Sequence, residues 1–412
     1  MHAVSDRSSG PNSTDAKNNG MNGKSLSIGV TSLPTLRACP LAVALGKFPE
    51  PPDRLPAPHP FAILGTLYHD FLERVARGEA GNPIRSAAFL DIWLGSIQKL
   101  ESEIHGNPDS VWLPLATTSA DLERVRLRAF RAALRLAVTP STSTPNAAHA
   151  ASFGAGTPRL RGPEVAVKMT SGGVTLRGKI DMVVERDGAL QIIDYKTGAV
   201  LDDQGGIKAE YIEQLQIYAG MLEHMGGGRA DLLTLVDRVG AEHAVSVDWV
   251  VVRELVLVAK AEVQGFEANW PKLARTDRDI ESAFQASPSD EICSHCSYRH
   301  RCSAHRSSLE ASGRRALGRM NRGFECTDVF GRVEGASPCS LGWSVRLITS
   351  LGPVHLRGRM PREPQRGDRI HAFGVAPGPS NPAPDVADAD DFIVPRWGVV
   401  QIHSDDGDLP DG

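Results

Sequence analysis

The segment GKIDMVVERDGALQIIDYKTG, residues 178–198, constrains this chain more than any other. Two runs rich in β-branched residues flank Asp187-Gly188, and Asp-Gly is a favoured two-residue hairpin turn. With those two residues as the loop, Arg186 faces Ala189 and the numbers of paired residues add to 375. Asp181 then lies opposite Asp194. Opposed side chains share one face of a sheet, and Lys196, two residues on, shares that face. Two carboxylates opposed on otherwise apolar strands repel one another and resist burial. A hard divalent cation, Mg²⁺ or Mn²⁺, relieves that repulsion and accepts an oxygen-rich ligand set. Such a metal lowers the pKa of bound water and stabilises charge on a phosphoryl oxygen, while a nearby lysine orients or deprotonates the water. The spacing points to phosphodiester hydrolysis. The competing reading is that one aspartate is an exposed edge residue or an ion-pair partner of Lys179 or Lys196.

The surrounding chain supplies the other layers of an α/β fold. FAILGTLYHDFLERVARG places Leu64, Leu67, Tyr68, Phe71, Leu72 and Val75 on one stripe of an amphipathic helix, within a region (27–137) that reads mainly helical. A second helix over about 119–137 carries Arg124, Arg126, Arg128, Arg131 and Arg135. EVAVKMT precedes the hairpin as a further strand, parted from it by Ser-Gly-Gly. KAEYIEQLQIYAGMLEHM returns to helical spacing, DLLTLVDRV reads as a strand, and 249–268 as another amphipathic helix. The expected core order is helix, three strands, helix, strand.

Composition narrows the class. The chain has 412 residues, 41% hydrophobic and 23% charged, which allows two or three domains and excludes wholesale disorder. With 45 basic and 49 acidic residues, the net charge of −4 excludes a uniformly basic nucleic-acid coat but not local basic patches. Six cysteines are too few for a disulfide scaffold. No run approaches the ~18 apolar residues of a membrane helix, and the N-terminus has no apolar signal segment. The expectation is a soluble cytoplasmic protein without a membrane partner. Residues 1–26 read as a disordered tail. Its Gly23-Lys24-Ser25 is no phosphate-binding loop, because Asn18 stands where the first glycine is needed and no strand precedes it. Residues 138–161 read as a low-complexity linker.

The order GxxD, then DYKTG, then QLQIY resembles the PD-(D/E)XK nuclease superfamily, specifically its RecB-like branch, over roughly residues 30–305. The resemblance implies a restriction-endonuclease-like core, a mixed sheet flanked by helices. It implies Asp181 and Asp194 as metal ligands, Lys196 as the catalytic lysine, and the Tyr195 backbone carbonyl as a further ligand. His69, in GTLYHDFLE, matches the family's helical histidine ligand, although a lone histidine on a helix is usually structural. Gln214 and Tyr218 match the QxxxY motif; their i, i+4 spacing puts them on one helix face, to contact DNA, support the lysine, or simply pack. Glu164 opens the first strand; related nucleases can use an acid there, and its role stays open.

Cys293, Cys296 and Cys302 cluster near the end of this region, and Cys39 stands alone far upstream. Four thiolates at such spacings can hold a metal, and a tetrahedral Zn²⁺ fits. The arrangement resembles the iron–sulfur staple of RecB-like nucleases, implying a [4Fe-4S] cluster with zinc as the alternative. Cys326 and Cys339 fall outside the pattern as free thiols.

The nuclease domain is thus expected over 27–310, followed by a β-barrel over 311–403 and an acidic tail, 404–412. Short strand-like runs separated by Gly and Pro suggest the barrel, and their rhythm resembles an OB-fold. Residues 313–380 hold eleven arginines, no lysine and five acidic residues, about +6 locally. With Phe330, Trp343 and Phe373 exposed among them, the barrel would grip single-stranded nucleic acid; otherwise it docks on the nuclease or a partner. An acidic loop is expected over 378–391.

The function expected is a metal-dependent DNA nuclease, acting as an exonuclease on ends or single strands, in repair, recombination or defence. The alternatives are a non-catalytic iron–sulfur DNA-binding scaffold and an RNA-directed phosphodiesterase. No helicase motif is visible, so unwinding would come from a helicase or other DNA-processing partner.

Overall fold

The computed structural model describes residues 26–48, 60–81, 84–105, 122–138, 159–171, 174–186, 188–196, 198–237, 239–271, 276–319, 325–378, 390–394 and 398–404. Outside them lie the proposed tail except Leu26, most of the low-complexity linker, residues 405–412 and the turn residue Asp187.

The N-terminal part runs β1 (Ser27–Gly29), α1 (Leu33–Ala38), α2 (Pro40–Lys47), α3 (Pro60–Ala76), α4 (Phe89–His105) and α5 (Leu122–Val138). Then follow β2 (Arg159–Ser171), β3 (Val174–Arg186), β4 (Ala189–Tyr195), α6 (Ala209–His224), β5 (Leu232–Val236), β6 (Glu242–Val245) and α7 (Trp249–Ala268). The short helices α8 (Asp277–Ala283), α9 (Asp290–His295) and α10 (Ser303–Ser312) lead out of the domain. Among the described residues these strands make one mixed sheet: β3 pairs with β2, β1 and β4, and the order continues through β5 to β6. The region read as mainly helical therefore opens with a strand, β1, which three residues are too few to betray by periodicity.

The hairpin has the expected register, from Arg186 opposite Ala189 to Met182 opposite Ile193. Gly188 takes φ +82°, the left-handed conformation its turn demands. β3 is shared by two neighbours on one edge. Its first half pairs in parallel with β1, ending at Gly29 opposite Arg177, and its second half pairs antiparallel with β4. Neither ladder pairs residues 178–181 on that edge. The C-terminal ends of β1 and β4 meet and part there.

Apolar side chains cover both faces of the sheet. Ile180, Val183 and Ile192 share one core with Leu41 and Leu45 of α2, Leu215 and Met221 of α6, and Val263 of α7. Met182, Val184 and Tyr195 share the other with Leu67 and Phe71 of α3, Trp93 of α4 and Val125 of α5. The expected stripe of α3 is buried, and Phe71 lies 5.3–5.8 Å from the rings of Phe89, Trp93 and Phe130.

The C-terminal part is a second sheet of β7 (Arg314–Arg319), β8 (Glu325–Cys339), β9 (Gly342–Thr349), β10 (Gly352–Gly358), β11 (Arg369–Pro377), β12 (Asp390–Ile393) and β13 (Val399–His403). Pairing runs β8–β9–β10–β12–β11 and returns from β11 to β8, with β10 and β12 parallel. The acidic stretch expected as a loop over 378–391 contributes the start of β12.

This sheet is locked to the preceding helices. Asp328 of β8, wholly buried, accepts from Arg299 Nε at 2.8 Å and from the backbone N–H of Gly374, and its carboxylate lies 2.9 Å from His305 Nε2 of α10. The aromatics expected to be exposed are not. Phe373 is buried, Phe330 packs 4.6 Å from the His371 ring, and Trp343 packs against the sheet's own core. Several arginines are also engaged: Arg314 with Asp390, Arg315 with Asp290, Arg346 with Glu334, Arg357 with Asp391 and Arg362 with Asp368. Strand alternation marks two faces but not what covers each, so the apolar positions read as a stacking surface serve as packing.

Candidate active site

The hairpin register carries one step past its last pair, Met182 with Ile193, and sets Asp181 opposite Asp194. On the other edge of β3, Pro163 pairs with Met182 and Val165 with Ile180, which sets Glu164 opposite Asp181. Three carboxylates thus stand in one row across three adjacent strands. The chain is distorted at the row: Gly162 has φ +141° and Glu164 has φ +56°, a conformation that strains a non-glycine residue by about 1–3 kcal/mol.

α3 brings His69 over this row. Its Nδ1 lies 3.3 Å from Asp181 Oδ1 and 3.9 Å from Glu164 Oε1. One ligand atom from each of His69, Glu164 and Asp181 falls within 4.8 Å of the others, the one such grouping of His, Cys, Asp or Glu among the described residues. Glu164, whose role the sequence left open, is therefore part of the constellation. The arithmetic used for the hairpin could have placed it: a Gly172-Gly173 turn sets Ser171 opposite Val174 and, by the same count, Glu164 opposite Asp181. Lys179 pairs with Glu164.

Asp194 and Lys196 form the other half. Lys196 Nζ lies 2.8 Å from Asp194 Oδ2 and donates to Gln214 Oε1 at 2.8 Å. Gln214 Nε2 donates to Asp194 Oδ1 at 3.3 Å and to the Tyr218 hydroxyl at 3.1 Å. The i, i+4 pair on α6 is thus one polar relay behind the lysine. Tyr218 is 2% exposed, which removes it from the rim and makes it a support. Its ring lies against Gly178, where an added Cβ would meet Tyr218 Cε1 at 2.4 Å. The backbone N–H of Tyr195 donates to Asp181 Oδ2 at 2.7 Å.

Burial dominates the electrostatics. It pushes the Asp181 and Asp194 carboxyls up to about 6, Asp194 further so because Asp181 is close. It pushes His69 down to about 4, so the imidazole is neutral near pH 7 with a lone pair free for a metal. Burial likewise raises the Tyr218 phenol, which stays protonated and able to hydrogen-bond. Asp181 and Asp194, whose ionisation burial opposes, together with Glu164 and a neutral imidazole form a donor set suited to a hard divalent cation.

The sequence pattern of the PD-(D/E)XK nuclease superfamily matches residues 27–303. This chain belongs to that superfamily. The span covers the whole first sheet and the row of acids, so the chain is of the divalent-metal nuclease class. Among solved structures, the protein SSO0001 is 16% identical with TM-score 0.25, covering 64% of this chain and 94% of its own. A protein of Eubacterium rectale designated an exonuclease candidate is 10% identical with TM-score 0.37, covering 64% and 89%. Both likenesses are low, and the assignment rests on the family match. No curated protein matches the chain.

The cysteines lie apart from this site. All six are free; Cys39, Cys293 and Cys302 are buried and Cys296 is partly so. Cys39 sits between α1 and α2, and the thiols of Cys39 and Cys293 lie near enough to help hold those of Cys296 and Cys302 protonated, behind burial as the main cause. No three of these sulfurs come within 4.8 Å of one another among the described residues, wider than the ~3.8 Å between ligands on a tetrahedral zinc with 2.3 Å bonds. A residue the sequence did not flag links the N-terminal helices to this end of the domain. Arg301, 6% exposed, donates to the carbonyl of Leu45 at 3.1 Å and pairs with Asp277, tying α2 to the end of the domain. Among the described residues no helix is long and apolar enough to cross a membrane.

Proposed function

We propose that this protein is a metal-dependent deoxyribonuclease of the RecB-like branch, acting as an exonuclease on DNA ends or single strands. The observation that carries the reading is the row Glu164–Asp181–Asp194, with His69 on one side and Lys196 on the other. Asp181, Asp194, His69 and the Tyr195 carbonyl would hold Mg²⁺ or Mn²⁺, with Glu164 beside His69 as a further donor. A bound metal lowers the pKa of water and stabilises charge on the phosphoryl oxygens. Lys196, fixed by Asp194 and Gln214, orients or deprotonates the attacking water; Tyr218 holds Gln214 in place.

The four cysteines Cys39, Cys293, Cys296 and Cys302 belong to the same proposal as the holders of a [4Fe-4S] cluster, with Zn²⁺ as the alternative. We read the C-terminal sheet as a small OB-like barrel, because its pairing path closes on itself. Its buried aromatics and paired arginines favour a docking role over a grip on DNA. Action in the cytoplasm beside a helicase or other DNA-processing partner completes the proposal.

The test is cleavage of 5′- and 3′-labelled single strands and duplexes of DNA, and of RNA, with Mg²⁺ or Mn²⁺. Asp194→Ala and Lys196→Ala should each abolish cleavage by a folded protein. Cleavage unchanged in both variants overturns the assignment, and cleavage of RNA alone moves it to an RNA-directed phosphodiesterase.

A further inference from the structure

A cleft of about 310 Å³ opens beside the row of acids, lined by Thr31, Leu33 and Pro34 on one side and by Lys196, Gly198 and Tyr211 on the other. Its origin is the parting of two strands. β1 and β4 both end at the stretch of β3 that neither pairs, and the chain leaving each forms one wall. We propose that this cleft is a subsite for one unpaired nucleobase, the one next to the scissile phosphate, with Tyr211 as its stacking partner. The inference rests on the nuclease reading and adds the substrate's form to it.

Size, surface chemistry and charge support it. The volume is at the low end of small-molecule sites, room for a single base and its sugar. Leu33, Pro34 and Ile217 give apolar surface, Tyr211 an aromatic ring, and Thr31 a hydroxyl for a base edge. The first turn of α6 fixes the tyrosine, whose backbone N–H donates to the Lys208 carbonyl at 3.0 Å. Lys196 Nζ and Lys208 Nζ lie over the ring, 4.7 and 5.9 Å from its centre, so a stacking base would take the place of an ammonium on that face and leave the cations to a flanking phosphate. Of the two acids in the lining, Glu210 and Glu213, the second is held by Arg37 at 2.7 Å, which reduces its repulsion of a polyanion. A base stacked on Tyr211 has left its own helical stack, so the strand must be single, or frayed at its end, to place it here.

Removing Tyr211 also disturbs Lys196, so the decisive experiment separates the two effects. Cleavage of a single strand is compared with that of the same strand carrying an abasic tetrahydrofuran residue, placed in turn on each side of the cut linkage, for wild type and Tyr211→Ala. Stacking on a base is worth roughly 5- to 100-fold in affinity. We expect kcat/KM of the wild type to fall by that order at one abasic position, and Tyr211→Ala to lose little more when the base is absent. Equal proportional losses in both proteins would mean that Tyr211 acts only through Lys196, and would overturn the subsite. Tyr211→Trp should restore sensitivity to the base. Gly198→Leu fills the cleft with the tyrosine still in place: a Cβ there has only the Tyr211 hydroxyl within 4 Å, at 3.9 Å. It should abolish the sensitivity, and it decides the matter if Tyr211→Ala does not fold. A wild type that cuts no strand of any kind would instead sink the nuclease reading, and the subsite with it.

Discussion

Tyr195 and Asp181 are joined by a hydrogen bond in which a side chain replaces the ladder. The Tyr195 backbone N–H donates to Asp181 Oδ2 at 2.7 Å, just beyond the last backbone pair of the hairpin, Met182 with Ile193. The bond leaves Asp181 Oδ1 facing His69 Nδ1 at 3.3 Å. One carboxylate thus fixes both the end of β4 and the entrance to the metal site.

Those groups set a pH dependence. The Asp181 and Asp194 carboxyls stand near 6 against 3.8 when unperturbed, so the folded state holds their protons more tightly. Their contribution to stability is full below about 3.8 and is lost as pH rises through about 6. His69, lowered to about 4, works the other way and destabilises the fold as pH falls from 6.5 toward 4. A metal must displace the two carboxyl protons but none from His69 above pH 5. Mn²⁺ affinity should therefore climb between pH 5 and 7, with up to two protons released per ion, and level off above 7. Titration followed by electron paramagnetic resonance, with proton release measured alongside, checks this; a flat profile over that range would contradict it.

Gln214 reaches one proposed metal ligand, Asp194, by a 3.3 Å bond, longer than the 2.8 Å bond it accepts from Lys196, and makes none of the hydrogen bonds above with His69, Glu164 or Asp181. Gln214→Leu should lower kcat by roughly 10- to 100-fold, the usual cost of removing a residue that orients a catalytic group. Mn²⁺ affinity, measured as before, should move much less than kcat. An equal loss in both would make Gln214 part of the metal site rather than a support for the lysine.

Gly178 opens the hairpin motif because Tyr218 occupies the space of its missing side chain. Gly178→Ala forces the ring aside, an overpacking strain of about 1–3 kcal/mol. The thermal midpoint should drop by several degrees, and cleavage should fall further than the midpoint implies, because the displaced phenol releases Gln214. Paired calorimetry and kinetics test this; wild-type values of both would show that the ring relaxes without consequence.

Asp328 makes the C-terminal sheet a structural partner of the nuclease domain rather than a tethered module. Arg299 and His305 both rely on this buried carboxylate. Asp328→Ala should destabilise the protein by about 3–5 kcal/mol, the cost of leaving a buried charge unpaired. Deleting residues 313–412 removes Asp328 entirely, so the truncated protein should lose stability as well as any DNA contact. Denaturant unfolding of the point variant measures the first effect. A midpoint unchanged from wild type would show that the sheet docks by other contacts.

What the sequence determined by itself was local. Alternation and the Asp-Gly turn specify which residues of the hairpin face one another, because a two-residue turn leaves one register that keeps the apolar faces buried. That placed Asp181 beside Asp194, and the Gly-Gly turn before it held the same information about Glu164. The period of α3 likewise identified its buried stripe, and Gln214 and Tyr218 were legible as one helix face. Tertiary structure decided the rest. His69 reaches the acids only because α3 packs against one face of the sheet. The cleft exists only because β1, too short to show a period, takes half of an edge of β3 and leaves the other half to β4. Phe373 and the arginines of the C-terminal sheet read as a nucleic-acid surface until the fold buried the first near His300 and His305 and paired several of the others with acids. Periodicity records which side chains share a face; what lies against that face depends on segments far away in sequence, and those are fixed only when the layers close.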